Sequence, residues 1–487
     1  MPHFSPDGGA LAFYANGRLL RVALDGGQPQ PIAETSQMSG LTWSPSGQLV
    51  LGLNGGLATV AAAGGPIRPW TAPDTTRGET FQQFPVALAD GEHVLYSSWG
   101  GGGIETVRIG VASLPSGRTR ILDVTGTAAL GVVDGWLVFA TTAGALMAVQ
   151  VELESGIVRG TPVTLLNGLL VGSGGGPRAT LSHSGSLVYM GGSRESTLAL
   201  VDAAGKLTPL LPEVRPYGYP RYSPDGSRIA YSLVGAAGSD IYVYDLASRT
   251  PTRLRTGGAI NERPEWSADG ERILFRTDQA VRTAIWWMPV DQSGPPEPLI
   301  SSPREAAFEA VMTPDGKYLV FQEDTIGADV WYRALSPDSA PRPIATSRSI
   351  ENMARVSPNG RWVAFVTDAS GLNQVVVQPF PGPGARVQVS SAGGAEPVWA
   401  RDGRRIFYRA NQKLMVATVS TESGFRVTGR SVFADDLFMS AQSPHANFDV
   451  TPDGQRLLVL KGQLDPRLIV VHNWAAELRA RVAGARP

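Results

Sequence analysis

The sequence predicts an all-β protein: two tandem β-propellers of four-stranded antiparallel blades, about five and six of them, followed by a short C-terminal helix. Three observations predict it. A tight-turn signature recurs eleven times, most clearly as Ser5-Pro6-Asp7-Gly8, Ser223-Pro224-Asp225-Gly226, Thr313-Pro314-Asp315-Gly316, Ser357-Pro358-Asn359-Gly360 and Thr451-Pro452-Asp453-Gly454. The marker glycines (Gly8, Gly47, Gly91, Gly135, Gly185, Gly226, Gly270, Gly316, Gly360, Gly403, Gly454) lie 39 to 51 residues apart, the period of a four-stranded blade. Short apolar, β-prone runs follow each turn, as in Arg228-Ile229-Ala230-Tyr231 and Trp362-Val363-Ala364-Phe365.

Each element of the repeat has a physical reason. Proline presets φ at the first central turn position, Asp or Asn bonds its own downstream backbone, and glycine takes the positive-φ position without a steric cost. The turn aspartates Asp225, Asp269, Asp315, Asp402 and Asp453 are therefore read as local caps rather than calcium ligands; no Asp-x-Asp-x-Asp run is present. A second apolar run comes about a dozen residues later, for example Ile241-Tyr242-Val243-Tyr244, and a weaker polar strand such as Pro251-Thr252-Arg253-Leu254 closes the unit. Before the turn sits a strand patterned Pro-x-aromatic: Pro220-Arg221-Tyr222, Pro264-Glu265-Trp266 and Pro397-Val398-Trp399, with Pro2-His3-Phe4 as a first copy. Proline suits a strand start, where its missing N–H costs no ladder bond. As the innermost strand of a blade, it directs x toward the central channel and the aromatic toward the neighbouring blade.

Repeats are degenerate up to about residue 195 and regular from Tyr219 onward. The expected domains are residues 1–195, with degenerate repeats, and residues 196–487, a six-bladed propeller with a terminal helix. Eleven blades in one ring would leave a wide empty axis. The last repeat lacks its outermost strand, and the segment around Thr197–Leu211 is the expected donor that hides both edges. A final strand, Arg467–Val471, precedes a helix in which Trp474, Leu478 and Val482 recur at helical spacing.

Composition narrows the function classes. The formal net charge is −1 with no block of like charge, which argues against nucleic-acid partners. Cysteine is absent, so disulfides, thiolate metal sites and a cysteine nucleophile are excluded. No apolar run reaches membrane-span length, and the N-terminus lacks a basic region followed by an apolar core. The chain starts inside a repeat, as expected if an upstream part is missing or if this is a stand-alone form of a longer protein.

The Pro-x-Trp/Tyr-Ser-x-Asp-Gly units resemble the WD40-like (PD40) repeats of the TolB family of propellers. More narrowly, Val375-Val376-Val377-Gln378-Pro379-Phe380-Pro381-Gly382-Pro383-Gly384, the stretch Glu396 to Arg409, and the ending from Phe448 through Asn473-Trp474 resemble the C-terminal extracytoplasmic region of bacterial Ser/Thr protein kinases. That likeness implies a periplasmic or extracytoplasmic, membrane-tethered context and one further repeat before Ser5. The missing signal peptide leaves a cytoplasmic location open. No kinase is present: Gly-rich loop, His-Arg-Asp and Asp-Phe-Gly motifs are all lacking. TolB-like repeats are also similar to the propellers of prolyl-oligopeptidase-type enzymes, yet no Gly-x-Ser-x-Gly elbow occurs.

No catalytic constellation, cofactor motif or metal site emerges. The glycine run after Trp99, Gly100 to Gly103, reads as a loop rather than a phosphate cradle. The five histidines, His3, His93, His183, His445 and His472, show no ligand spacing; His93 and His183 are read as solvated. Binding therefore falls to the loops entering the innermost strands, which are expected to converge on one face. They carry Tyr217, Tyr219, Asn261, Glu262, Arg263, Glu351, Asn352, Glu396, His445 and Asn447, with Arg221, Glu265, Arg355 and Asp449 deeper along the channel. The competing reading is a solvated rim. The expected function is a non-catalytic module binding a protein, peptide or envelope ligand as sensor or scaffold. The alternative is a propeller lyase or hydrolase with a dispersed acid/base site at the axis, which a buried carboxylate–histidine cluster would favour.

Overall fold

The computed structural model of the chain describes residues 2–15, 18–35, 38–53, 55–100, 107–171, 176–182, 185–192, 195–235, 238–258, 260–277, 279, 284–300, 307–323, 329–336, 339–347, 349–422, 424–440, 445–462 and 468–483. Gly101 to Gly103 and His183 lie outside them.

All eleven marker glycines take positive φ, between 66° and 83°. The turns around them close as their chemistry requires. In the Ser223 turn, the Gly226 amide donates to the Ser223 carbonyl at 2.8 Å, and Asp225 accepts from the Ser227 amide at 3.1 Å. Asp269, Asp315, Asp402 and Asp453 accept from the amide two residues on in the same way.

Eleven antiparallel sheets form among the described residues; ten have four strands and one has three. They fall into two compact units: Met1–Ser193 with Leu464–Pro487, and Arg194–Gln463. The first unit holds five sheets and the second six.

The C-terminal segment differs from the sequence expectation, which kept it in the second domain. Strand Leu468–Val471 instead pairs with Leu187–Met190 as the third strand of the first unit's last sheet. The helix Trp474–Ala483 buries Trp474, Leu478 and Val482 among Leu130, Val138, Leu146 and Leu187 of that same unit.

In the second unit, the last sheet runs in the order Leu207–Arg215, Ser196–Asp202, Arg456–Gly462, Phe448–Val450. The Thr197–Leu211 region thus supplies two outer strands, one more than expected, and joins the beginning of the unit to its end. The first strands of the six sheets touch in succession, and Phe448–Val450 touches Tyr217–Tyr222, so the ring closes. Six apolar clusters fill the six inter-blade spaces, each drawn from two adjacent sheets. Trp266 and Trp399 pack there, as the Pro-x-aromatic pattern implies. Each also donates its indole N–H at 3.1 Å to the backbone carbonyl of the channel residue one blade back, Arg221 or Arg355.

Candidate functional site

The innermost strands of the six-sheet unit are Tyr217–Tyr222, Asn261–Trp266, Ala307–Met312, Glu351–Val356, Ala395–Trp399 and Phe448–Val450. Five of them carry a register break against their neighbour, between Gly218 and Arg221, Glu262 and Glu265, Ala307 and Glu309, Asn352 and Arg355, and Ala395 and Val398. At four of these bulges a non-glycine residue is left-handed: Tyr219, Arg263, Met353 and Glu396, with φ of 54° to 57°. Such residues cost about 1–3 kcal/mol each and persist only where their surroundings hold them. A bulge re-aims side chains, and here it puts two successive layers on the axis.

The two layers meet in a closed cycle of five side chains. Arg221 Nε donates to Glu265 Oε1 at 2.8 Å, and Arg355 Nη2 lies 3.1 Å from that same oxygen. Arg355 Nη1 donates to Glu309 Oε1 at 2.6 Å, and His445 Nδ1 sits 2.8 Å from Glu309 Oε1. Arg221 Nη2 closes the cycle at 2.9 Å from His445 Nε2. Guanidinium is a donor only, so Nε2 accepts and the imidazole proton resides on Nδ1, facing Glu309. Arg221 is further fixed by the carbonyls of Pro220, Ala446 and Phe448.

Electrostatics follow from burial. His445 is 0% exposed; burial, reinforced by Arg221, Arg355 and Arg263, holds its pKa well below the ordinary value. Burial pushes the Glu309 carboxyl up, against the pull of Arg355, and Glu309 Oε2 is buried without a hydrogen-bond partner. Burial also raises Asp449, although its carboxylate accepts from the Tyr222 amide at 2.7 Å and the Val450 amide at 2.8 Å.

On the turn side of the cycle, a cavity of about 230 Å³ is lined by Arg221, Glu265, Arg355 and Asp449, with Tyr222, Trp399 and Arg401 nearer the turns. His445 and Glu309 are not among its lining residues.

The structure therefore gathers Arg221, Glu265, Arg355 and Asp449 on the axis, but the cavity opens at the turn end, opposite the face to which the loops were assigned. Most of the loop residues are neither open binding groups nor a solvated rim. Glu396 pairs with Arg409 at 3.1 Å and accepts from the Asn447 amide at 2.7 Å. Asn447 Oδ1 accepts from the Tyr219 amide, and the Tyr219 ring meets His445 edge-on at 5.1 Å, with the Arg263 guanidinium over the ring at 5.7 Å. Asn261 anchors a loop by donating to the Gly257 and Ser239 carbonyls, and Glu351 does so by accepting from Ser347 and pairing with Arg386. Glu262 pairs with Arg276 at 3.3 Å, and Asn352 is partly buried.

Tyr217 leaves the axis altogether and packs on Tyr231 between blades, because the bulge after Gly218 breaks the alternation that would have aligned it with Tyr219. His93, read as solvated, is 9% exposed, with Nδ1 held by Asp90 at 2.8 Å. Its other nitrogen faces Glu154, and Glu92, His93 and Glu154 are the one group with metal-compatible spacing among the described residues; both acids are exposed. Sequence reasoning missed Glu309: its blade reads Ala310-Val311-Met312, without the proline or aromatic that marks the channel strand elsewhere. It also missed Arg409, which has no repeat-wide counterpart.

The family model of the TolB β-propeller domain (PD40) matches residues 215–323, the segment that carries Arg221, Glu265 and Glu309. The Tol-Pal system protein TolB of Francisella tularensis subsp. mediasiatica is 30% identical over 184 residues, covering 37% of this chain and 41% of that protein. An uncharacterized protein of Agrobacterium fabrum is 31% identical over 99 residues, 20% of this chain and 34% of that one. This chain thus spans about two fifths or less of the length of these curated relatives. The crystal structure of TolB from Acinetobacter baumannii aligns with a TM-score of 0.38 at 16% identity, over 68% of this chain and 80% of that one. No helix among the described residues is long and apolar enough to cross a membrane. Residues 215–323 of this chain thus match the TolB β-propeller domain (PD40), within an all-β fold of eleven antiparallel sheets among the described residues.

Proposed function

We propose that the six-sheet unit is a non-catalytic module that binds a protein or peptide segment at the turn-end mouth of its axial cavity, in an extracytoplasmic setting, as a sensor or scaffold. One observation carries this reading. The titratable groups that would be needed for chemistry, His445 and Glu309, sit in the cycle behind the cavity wall, where His445 Nε2 accepts from Arg221 while Nδ1 lies 2.8 Å from Glu309 Oε1 without a hydrogen bond. The cavity itself offers two carboxylates, Glu265 and Asp449, beside Trp399 and Tyr222, a surface suited to N–H donors and side chains of a polypeptide. The similarity to a Tol-Pal system protein points the same way.

Capture of envelope polypeptides by the immobilised chain, compared with Glu265→Gln and Arg355→Lys at matched folding, tests it. Loss of capture in both variants is expected; equal capture removes the axial cavity from the interaction. The second reading, an enzyme with an acid/base site at the axis, is favoured by the buried Glu309–His445 pair and its raised carboxyl. Turnover of a glycoside or ester that disappears in Glu309→Gln would replace the first reading with this one.

A further inference from the structure

A second cavity, of about 330 Å³, lies away from the axis in the six-sheet unit, between the outermost strand of its last sheet, Leu207–Arg215, and the first sheet. Its wall is a cross-strand pair, Tyr231 opposite Tyr242, with ring centroids 5.8 Å apart and planes within 6° of parallel. Tyr217 meets Tyr231 edge-on at 5.3 Å, and Tyr244 lies one row beyond. At the same register the next two sheets pair Phe275 with Trp286 and Phe321 with Trp331. Packing at this position asks for rings, not for hydroxyls.

The hydroxyls are free to act on something else. Among the described residues none of these four phenols enters a hydrogen bond, and none is sealed off as a buried atom without a partner. Two guanidiniums, Arg215 and Arg249, and one carboxylate, Glu213, also line the cavity, all on exposed residues. Their sum is one positive charge. Burial raises the Tyr217 and Tyr231 hydroxyls first; Glu213 then raises and Arg215 lowers Tyr217, and on Tyr231 the same two charges act after its tyrosine neighbours Tyr217 and Tyr242, so these charges reach the phenols.

We propose that this cavity binds a pyranose-sized, hydroxyl-rich ring bearing one anionic group. Phenols both donate and accept, which matches a ring that presents hydroxyls in several directions. The partly exposed Tyr242 and Leu210 of the lining take the C–H side of such a ring. The surplus guanidinium charge suits a carboxylate or phosphate, which Arg recognises by paired N–H bonds. The volume fits the small end of ligand pockets, about 300 Å³ upward.

Calorimetric titration of the full chain with D-glucuronate, glucose 6-phosphate and glucose tests the proposal. At least one anionic sugar should bind, with glucose at least about tenfold weaker, a difference of about 1.4 kcal/mol. The carboxylate and phosphate arms identify the anion. Tyr231→Phe with Tyr242→Phe keeps the rings and should weaken binding about tenfold, while Arg249→Ala should erase the preference for the charged sugar. No saturable binding of either anion up to about 10 mM overturns the proposal. So does binding that the Phe variants leave unchanged, or tighter binding of phenylacetate or a proline-rich peptide than of either anionic sugar.

Discussion

His445 should remain neutral in the folded protein well below the pH at which a free imidazole protonates. Its folded pKa is depressed, by burial first and then by Arg221, Arg355 and Arg263, from an ordinary value of 6.5. A depressed histidine contributes stability that is fully present above the unfolded pKa and is lost as pH falls toward the folded one. Between pH 7.5 and 5.5 the unfolded chain takes up this proton and the folded chain does not, which costs about 1.4 kcal/mol. Glu309 and Asp449 act with opposite sign, since burial raises both, and the stability tied to their protonated forms is lost as pH rises. His3, lowered to about 4, adds a term of the same sign as His445 in the other unit. A difference measurement separates them. Denaturant unfolding of the wild type and His445→Gln at both pH values should show the wild type losing about 1.4 kcal/mol more, because the His3 term is common to both. In parallel, the His445 Cε1–H proton resonance should not titrate down to pH 5.5. A resonance with a midpoint near 6.5 would refute both the buried neutral imidazole and the proton placement on Nδ1.

Removing Glu265 by Glu265→Ala leaves Arg221 and Arg355 without their shared carboxylate, and the six-sheet unit should lose about 3–5 kcal/mol in urea unfolding; a loss below about 1 kcal/mol contradicts the cycle. Trp266→Phe keeps most of the inter-blade packing but removes the bond to the Arg221 carbonyl, for an expected loss of about 1 kcal/mol. Leu478→Ala opens a cavity under the terminal helix and should cost about 2–5 kcal/mol in the unfolding of the five-sheet unit alone. Hydrogen exchange resolved by peptide reads which unit responds, and an effect confined to residues 194–463 would contradict the return of the C-terminus.

Much of the fold was legible because turn chemistry is local: Pro, Asp and Gly dictate a reversal whatever surrounds them, and eleven such reversals set the strand count. Arg221, Glu265, Arg355 and Asp449 were legible for the same reason, each standing at a fixed offset before a turn. Two kinds of information were not. Register breaks are not written in residue type, so Tyr217 and Tyr219 looked equivalent and are not, and Glu309 sat where no motif pointed. Long-range pairing leaves no period either: Val471 opposite Leu187 spans most of the chain, and nothing in Leu468–Val471 distinguishes a partner in the nearest blade from one far upstream.

The bulges and the charge cycle explain each other. Left-handed φ at Tyr219, Arg263, Met353 and Glu396 stores strain on the axis, about 1–3 kcal/mol at each position. Uninterrupted strands would relieve it, but regular alternation would then govern which side chains reach the channel. With the break between Ala307 and Glu309, Glu309 reaches the guanidinium of Arg355, and the buried charges of Arg221 and Arg355 gain partners on the axis. On the proposed function, a ligand at the turn-end cavity meets Glu265 and Asp449 already oriented, so little of its binding energy is spent on ordering the site.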